Sequence, residues 1–405
     1  MAHRNDTAVM ICLIGLLLAT TPALAASWLV TKEGNGDFLV IQEAVDIAAS
    51  GDTIFVGPGY YDDFQWLSLG NSAVYVFSED KDLTIIGEGP DRTFVGFQNP
   101  PFVPRVYLYG ILVRGDGVSL RVEGIGFNDM NGDAIRLERG HLEVSNCDFQ
   151  NTRSGIFAFA PGGGFVRNCN FDNIGYRPTI IGGTSVSFTT DSEGMVIENC
   201  NFEHCWQGVG FFWDCTDMMV RFCNFYNGDV GVNFTDGSSG TVRECTLSNM
   251  GSYGVVGNRA GTVVIEDNRI TVSNPSYVAY GFSVFSSPGI YVLRRNVIVA
   301  EGISHCLNFS LPGFFINSHD NHFLRYGDTS LFARAYVSDS YVGDPLHVDL
   351  GGNWWGTTDS TYVAQWIEDR NDDPDLKYYI DYQPMLNDAV PVEKTNLGSI
   401  KAMFR

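Results

Sequence analysis

The chain is short of positive charge, and of lysine above all. Only Lys32, Lys81, Lys377, Lys394 and Lys401 occur in 405 residues, and 25 Lys plus Arg face 47 Asp plus Glu. A net charge of −22 and a pI near 4.5 argue against nucleic acid and anionic membrane surfaces as partners, since both are held through cations. The same balance disfavours polyanionic glycans unless a cation bridges them, and it also keeps an exported protein soluble. All five lysines are expected outside the repeating coils described below, which excludes a lysine base on their faces.

Long apolar runs are missing beyond the N-terminus, so no membrane span is expected. The N-terminus itself reads as a signal peptide, residues 1–25. Arg4 is followed by an apolar Ala8 to Ala19 and by Ala23-Leu24-Ala25, a small-residue site that places cleavage near Ala25 and the mature protein outside the cell or at its surface. No Cys-x-x-Cys pair occurs among the nine cysteines, which removes the usual spacing of a structural zinc site.

What is present is a repeat. A frame of aliphatic, two residues, Cys or Asn, one residue, then Phe, Ile, Leu or Trp starts at Val144-Cys147-Phe149. It returns as Val166-Cys169-Phe171, Ile197-Cys200-Phe202, Val220-Cys223-Phe225 and Val242-Cys245-Leu247. It goes on through Ile265-Asn268-Ile270, Leu293-Asn296-Ile298, Ser318-Asn321-Phe323 and Leu350-Asn353-Trp355, with a precursor at Val122-Ile125-Phe127. The middle positions step by 22, 22, 31, 23, 22, 23, 28, 25 and 32 residues, the mark of a solenoid with loop insertions. The runs around each frame are short, β-branched and bounded by Gly, Asn and Asp, so they are strands. A second set, including Gly155 to Phe159, Gly231 to Thr235 and Gly281 to Phe285, alternates in and out. Stacked parallel coils of this length predict an all-β chain: a single right-handed parallel β-helix of about ten or eleven coils, its tight corners served by glycine. The Cys and Asn positions then form one column, with Asn bridging coils and Cys as buried filler. Cys205, Cys215 and Cys306 lie off it.

The expected organisation is an N-terminal cap and first coil over 26–90, with a helix from Val40 to Ala49 and a strand from Thr53 to Val56. Coils follow over 91–356, with residues 97–110 as an inserted loop. A C-terminal cap over 357–390 contains a short helix from Thr361 to Asp369 and Trp354, Trp355 and Trp366. The tail 391–405 is of unknown role.

The segment Gly36 to Tyr61 resembles the opening of pectin methylesterases and of the wider pectate-lyase-like β-helix superfamily. The Cys/Asn ladder, Gly352-Asn-Trp-Trp-Gly356 and Asp372-Asp-Pro are similar to exported bacterial β-helix repeat proteins. The resemblance implies the fold across nearly the whole mature chain. It leaves function open, because these folds carry lyases, hydrolases, esterases, epimerases and inactive members. The esterase carboxylate motifs are absent. Of the polygalacturonase motifs, only Asn151-Thr-Arg and Arg269-Ile-Thr are echoes, each without the reacting group.

Two sets of candidate residues remain. Alternation from inward Ile156, Val209 and Phe282 puts Phe157, Phe159, Phe212, Trp213, Asn233, Asn258 and Phe285 on an uncharged outer strip beside Ser187, Ser283 and Asn308. Aromatic faces and amides suit sugar rings and hydroxyls. Asp214, Asp217, Asp229 and Asp236, in adjacent coils, are candidate calcium ligands as well as ordinary corner residues. Calcium is the one cofactor these residues point to. The reading the sequence favours is a monomeric, exported protein that binds a polysaccharide or cell-surface glycan along its flank without catalysis. The alternative is a carbohydrate-active enzyme, a lyase or glycoside hydrolase, with an Arg base among Arg136, Arg153, Arg177, Arg221, Arg243 and Arg259. Asp and Arg side chains converging in one groove would favour the enzyme.

Overall fold

The computed structural model describes residues 25–389 apart from 68–70, 97–105, 178–179, 287–288, 311–312, 328–330, 337–345 and 377. The signal peptide and the tail therefore lie outside the described residues. Parallel strands stack into a solenoid with three faces. An eleven-stranded sheet forms one face and counts the coils, and the other two faces join into a 22-stranded sheet. Two short helices, Ile41–Ile47 and Ser360–Ala364, complete the described elements. The first is shorter than the sequence suggested and covers the open end of the core with Ile41, Ala44 and Val45. The second stops early because Ile367–Glu368 leaves the helical path to pair as a last strand with Leu331–Tyr336. The inserted loop ends sooner than expected, since Tyr107–Glu123 is one long strand.

Face three is built by the last residue of the frame. Phe127, Phe149, Phe171, Phe202 and Phe225 stack with centroids 4.5–5.1 Å apart and planes within 7°, close to the inter-strand spacing of a sheet. Opposite them on face one runs a line of glycines. A Cβ at Gly155 would sit 2.7 Å from the Phe171 ring, and one at Gly208 would sit 2.5 Å from Phe225. These glycines make room for rings rather than for corners. The corners themselves are mostly not glycine. Asn146, Asn168 and Asn199 precede the column at φ of +52° to +53°, as do Phe222, Glu244 and Arg295 at +53° to +55°. Asn visits this region at little cost. The other three are held there by the stacking hydrogen bonds of the coils, such as Phe222 N–H to Arg243 O and Glu244 N–H to Glu266 O.

The lysine expectation needs correction. Lys32 and Lys81 do lie in the first coils, at their corners. Lys81 donates to the carbonyls of Val45 and Ala48 at the end of the capping helix, and Lys32 pairs with Asp63. Neither lies on the face-one strands, and Lys377, Lys394 and Lys401 lie outside the described residues. All eight described cysteines are free and buried, which removes a disulfide among Cys205, Cys215 and Cys306.

Candidate functional site

Face one carries the alternating strands. Its inward rows hold Ile135, Ile156, Val186, Val209, Val232, Val255, Phe282 and Leu307 in register, all without exposed surface. The next residue along each strand points out, because side chains alternate across a sheet. This gives an outer row of Arg136, Phe157, Ser187, Gly210, Asn233, Val256, Ser283 and Asn308. A second outer row runs Arg114, Glu138, Phe159, Thr189, Phe212, Thr235 and Asn258. The structure thus brings Phe157, Phe159, Phe212, Asn233 and Asn258 onto one face, as alternation required. Phe285 joins them as the extra residue of a bulge opposite Asn258, its ring edge-on to Tyr253 at 5.2 Å. Trp213 lies just past the strand end, 57% exposed. The middle row is a floor more than a ridge: Ser187, Ser283 and Asn308 are buried between their larger neighbours.

At the N-terminal end of this face the charge pattern changes. Asp133 is 5% exposed and meets the Arg136 guanidinium at 3.1 Å, whose Nε lies 3.2 Å from Glu138. The guanidinium also sits 4.6 Å above the Phe157 ring and 5.9 Å from that of Tyr109. Glu138 is shared with Arg114 at 3.2 Å, and Arg139 reaches Asp116 at 2.9 Å. Next to them, Arg153 lies over the Tyr107 ring at 5.4 Å, and its buried Nε has no hydrogen-bond partner. Tyr109, Asp133, Arg136, Arg153, Ser154, Phe157, Gly182, Gly183, Thr184 and Ser187 surround a shallow cleft of about 380 Å³. Burial pushes the Asp133 carboxyl above its ordinary pKa, against the pull of Arg136, Ser154 and Arg153. Burial and the nearby Asp133 charge raise the Tyr109 phenol as well.

The cleft therefore contains a carboxyl whose hold on its proton burial strengthens, two guanidiniums to hold developing negative charge, and a phenol that stays protonated. Arg136 and Arg153 are two of the six arginines that the sequence offers as a base, and Arg221, Arg243 and Arg259 are not in the cleft lining. The meeting of Arg136 and Arg153 with Asp133 and Tyr109 is not legible in the sequence, because no local spacing links residues 109, 133 and 153.

Among the described residues the four candidate calcium ligands form no metal-sized cluster, and Asp217 turns the corner before Met218–Arg221 at φ +53°. Asp214 and Asp236 stack at one corner, joined by the Asp214 N–H donating to the Asp236 carbonyl at 2.8 Å. Asp236 is also paired with Arg259. Asp229 sits at the far end of its strand, accepting from Ser252 at 2.6 Å and Tyr277 at 3.2 Å. Among the described residues, the metal-sized cluster of carboxylate and imidazole groups is a different one, Asp172, Glu203 and His204 on face three.

Residues 139–298 match the family model described as right handed beta helix region. The stacked parallel coils fit a right-handed β-helix, as that match describes for this stretch. Similar solved structures include a periplasmic alginate epimerase, 11% identical with a TM-score of 0.46, covering 82% of this chain and 85% of that one. An alginate lyase from a Paenibacillus strain is 10% identical with a TM-score of 0.34, covering 75% and 99%. A pectate lyase is 13% identical with a TM-score of 0.27, covering 79% of each. Likeness at this level carries no argument about substrate. No curated protein matches the sequence, and no helix among the described residues is long and apolar enough to cross a membrane.

Proposed function

We propose that this protein is a carbohydrate-active enzyme that binds a polysaccharide along face one and cleaves it at the Asp133–Arg136 cleft, by elimination or by hydrolysis. The observation that carries this reading is the convergence of Asp133, Arg136, Arg153 and Tyr109 in one cleft, at the end of a strip of Phe157, Phe159, Phe212, Trp213, Asn233, Asn258 and Phe285. A flank that only bound glycan would have no need of a buried carboxyl set against a guanidinium, a costly arrangement to leave without use. In this reading Asp133 transfers the proton, Arg136 steadies charge at the reacting sugar, and the aromatic strip holds the chain in place. The protein works outside the cell or at its surface, as its N-terminal segment suggests.

The test is mass spectrometry of plant, algal and bacterial glycans after long incubation with the mature protein. Shortened chains are expected, with unsaturated ends marking elimination and hydrated ends hydrolysis. The isosteric Asp133→Asn should slow product formation at least about a hundredfold, in the range of a lost acid–base group. Intact glycans throughout, or an undiminished Asp133→Asn, would leave only a binding role.

A further inference from the structure

The charges along face one are very unevenly placed, and their placement bears on the glycan. From Thr184–Thr189 through His305–Ser310, six consecutive strands carry no Asp, Glu, Lys or Arg at any outward position. His305, at the edge of that stretch, is neutral because burial lowers it to about 4. In a chain with 47 acidic residues, this is a long neutral track, formed by Gln207, Asn233, Tyr253, Asn258, Tyr280 and Phe285 among others. The cleft at its N-terminal end differs. Of its neighbouring guanidiniums, Arg136, Arg114 and Arg139 are each matched to a carboxylate within 3.2 Å. Arg153 is not. Among the described residues it lines the cleft over the Tyr107 ring with no ion pair of its own, and Asp133 acts on it only through space. A guanidinium that lines the cleft without an ion pair can take an anionic ligand group through a charge-assisted hydrogen bond.

The net charge of −22 does not oppose this, because at physiological salt fields fade over about 8 Å. A ligand group in the cleft would sense Arg153 more than the distant acids. One free cation at one end and a neutral track elsewhere do not suit a homopolymer charged at every sugar. Successive carboxylates on such a chain would lie against amides and aromatic faces with no counter-charge.

Resting on the cleavage reading above, we infer that the substrate is a heteropolysaccharide in which isolated acidic sugars are separated by neutral ones, and that Arg153 selects it by binding one carboxylate beside Asp133. Arg153 is a specificity-determining residue in this scheme, and the track from Ser187 to Asn308 takes the neutral sugars.

Affinity electrophoresis of the mature protein in gels containing single polymers tests this. The probes are sparse acidic heteropolysaccharides (gellan, xanthan, glucuronoxylan), their carboxyl-reduced forms, polygalacturonate, and neutral dextran and glucomannan. At least one sparse acidic polymer is expected to retard the protein roughly ten- to a hundredfold more strongly than its carboxyl-reduced form, the range of one charge-assisted hydrogen bond. Arg153→Gln should erase that difference, and Arg153→Lys should restore part of it. Arg153 stacks on an exposed Tyr107, and an unchanged circular-dichroism melt would show that the variants are folded. Equal retardation by native and reduced polymers, or preference for polygalacturonate, overturns the inference while leaving the cleavage reading intact. If no polymer of any charge retards the protein, the polysaccharide reading fails and this inference with it.

Discussion

One corner position is filled with thiols in the first half of the helix and with amides in the second. Cys147, Cys169, Cys200, Cys223 and Cys245 give way to Asn268, Asn296, Asn321 and Asn353, and both halves serve the same backbone groups. Each Asn amide donates to the carbonyl three residues before the column in the preceding coil, at 2.8 Å for Asn268, Asn296 and Asn321. Its oxygen accepts the N–H of the preceding column residue at 2.9–3.0 Å. The thiols point at the same carbonyls from farther off, 3.6–3.9 Å, for Cys147, Cys200, Cys223 and Cys245. They also lean on the carbonyl two residues back, at 3.1–3.3 Å. The two halves therefore hold the same geometry with different forces: weak hydrogen bonds and packing against stacked Phe rings in one, a linked amide chain in the other.

Removing one member should expose the difference. Asn296→Ala would orphan the Asn268 N–H and the Ile265 carbonyl in a dry interior and break the link to Asn321. About 3–5 kcal/mol of stability should be lost in urea unfolding. Cys200→Ala removes a small, weakly polar group from between Phe-stacked coils and should cost about 1–2 kcal/mol. Equal losses would mean that the amides add nothing beyond volume.

Extending the ladder sharpens the comparison. Cys245 already donates its N–H to the Asn268 amide oxygen at 2.9 Å. An Asn there would find that same oxygen on one side and the Val220 carbonyl on the other, so Cys245→Asn should stay within about 1 kcal/mol of the parent. Cys169→Asn has thiols on both sides, cannot satisfy its second amide hydrogen, and should cost at least about 2 kcal/mol. Matching melting temperatures for the two variants would refute the role of neighbouring amides.

The smallest effects come from pH. Burial raises Cys169, Cys200 and Cys245 well above the ordinary thiol range, and lifts Cys205 and Cys306 to about 12. A group bound more tightly to its proton when folded stabilises the fold below its unfolded pKa. That stability is lost as pH rises from about 9 towards the folded value. His305 is the opposite case. Its pKa falls to about 4, first through burial, so its contribution is full above about 6.5 and fades as pH drops towards 4. Chemical-denaturation curves should show alkaline weakening centred on the thiol half and, between about pH 6.5 and 4, an acid-side loss that His305→Gln reduces. The native thiols should stay inert to a disulfide reagent at neutral pH until the protein unfolds. Rapid thiol titration of the native protein would contradict the burial.

Much of this arrangement was legible beforehand, for reasons that differ between residues. The frame named the column and the Phe stack because a solenoid repeats its core once per coil. Phe157, Phe159 and Phe212 could be placed outward because a strand alternates strictly, and inward Ile156 and Val209 set the phase. The corners differ from what the glycine content implies. Glycine looked like the corner residue, yet Asn146, Asn168 and even Phe222 turn the chain, while Gly155 and Gly208 clear space for rings two faces away. That role depends on what lies across the core, and no local pattern records it.

The amino-acid sequence by itself determined the fold, the direction of each face-one side chain and the neutrality of the long track, since each follows from periodicity along a single strand or coil. Only the tertiary structure decided which charges meet. Asp133, Arg136, Arg153 and Tyr109 come from three different coils, and insertions of unequal length intervene between frames. Hydrogen bonding between coils sets them side by side, and among the described residues Arg153 is the cleft guanidinium without an ion pair.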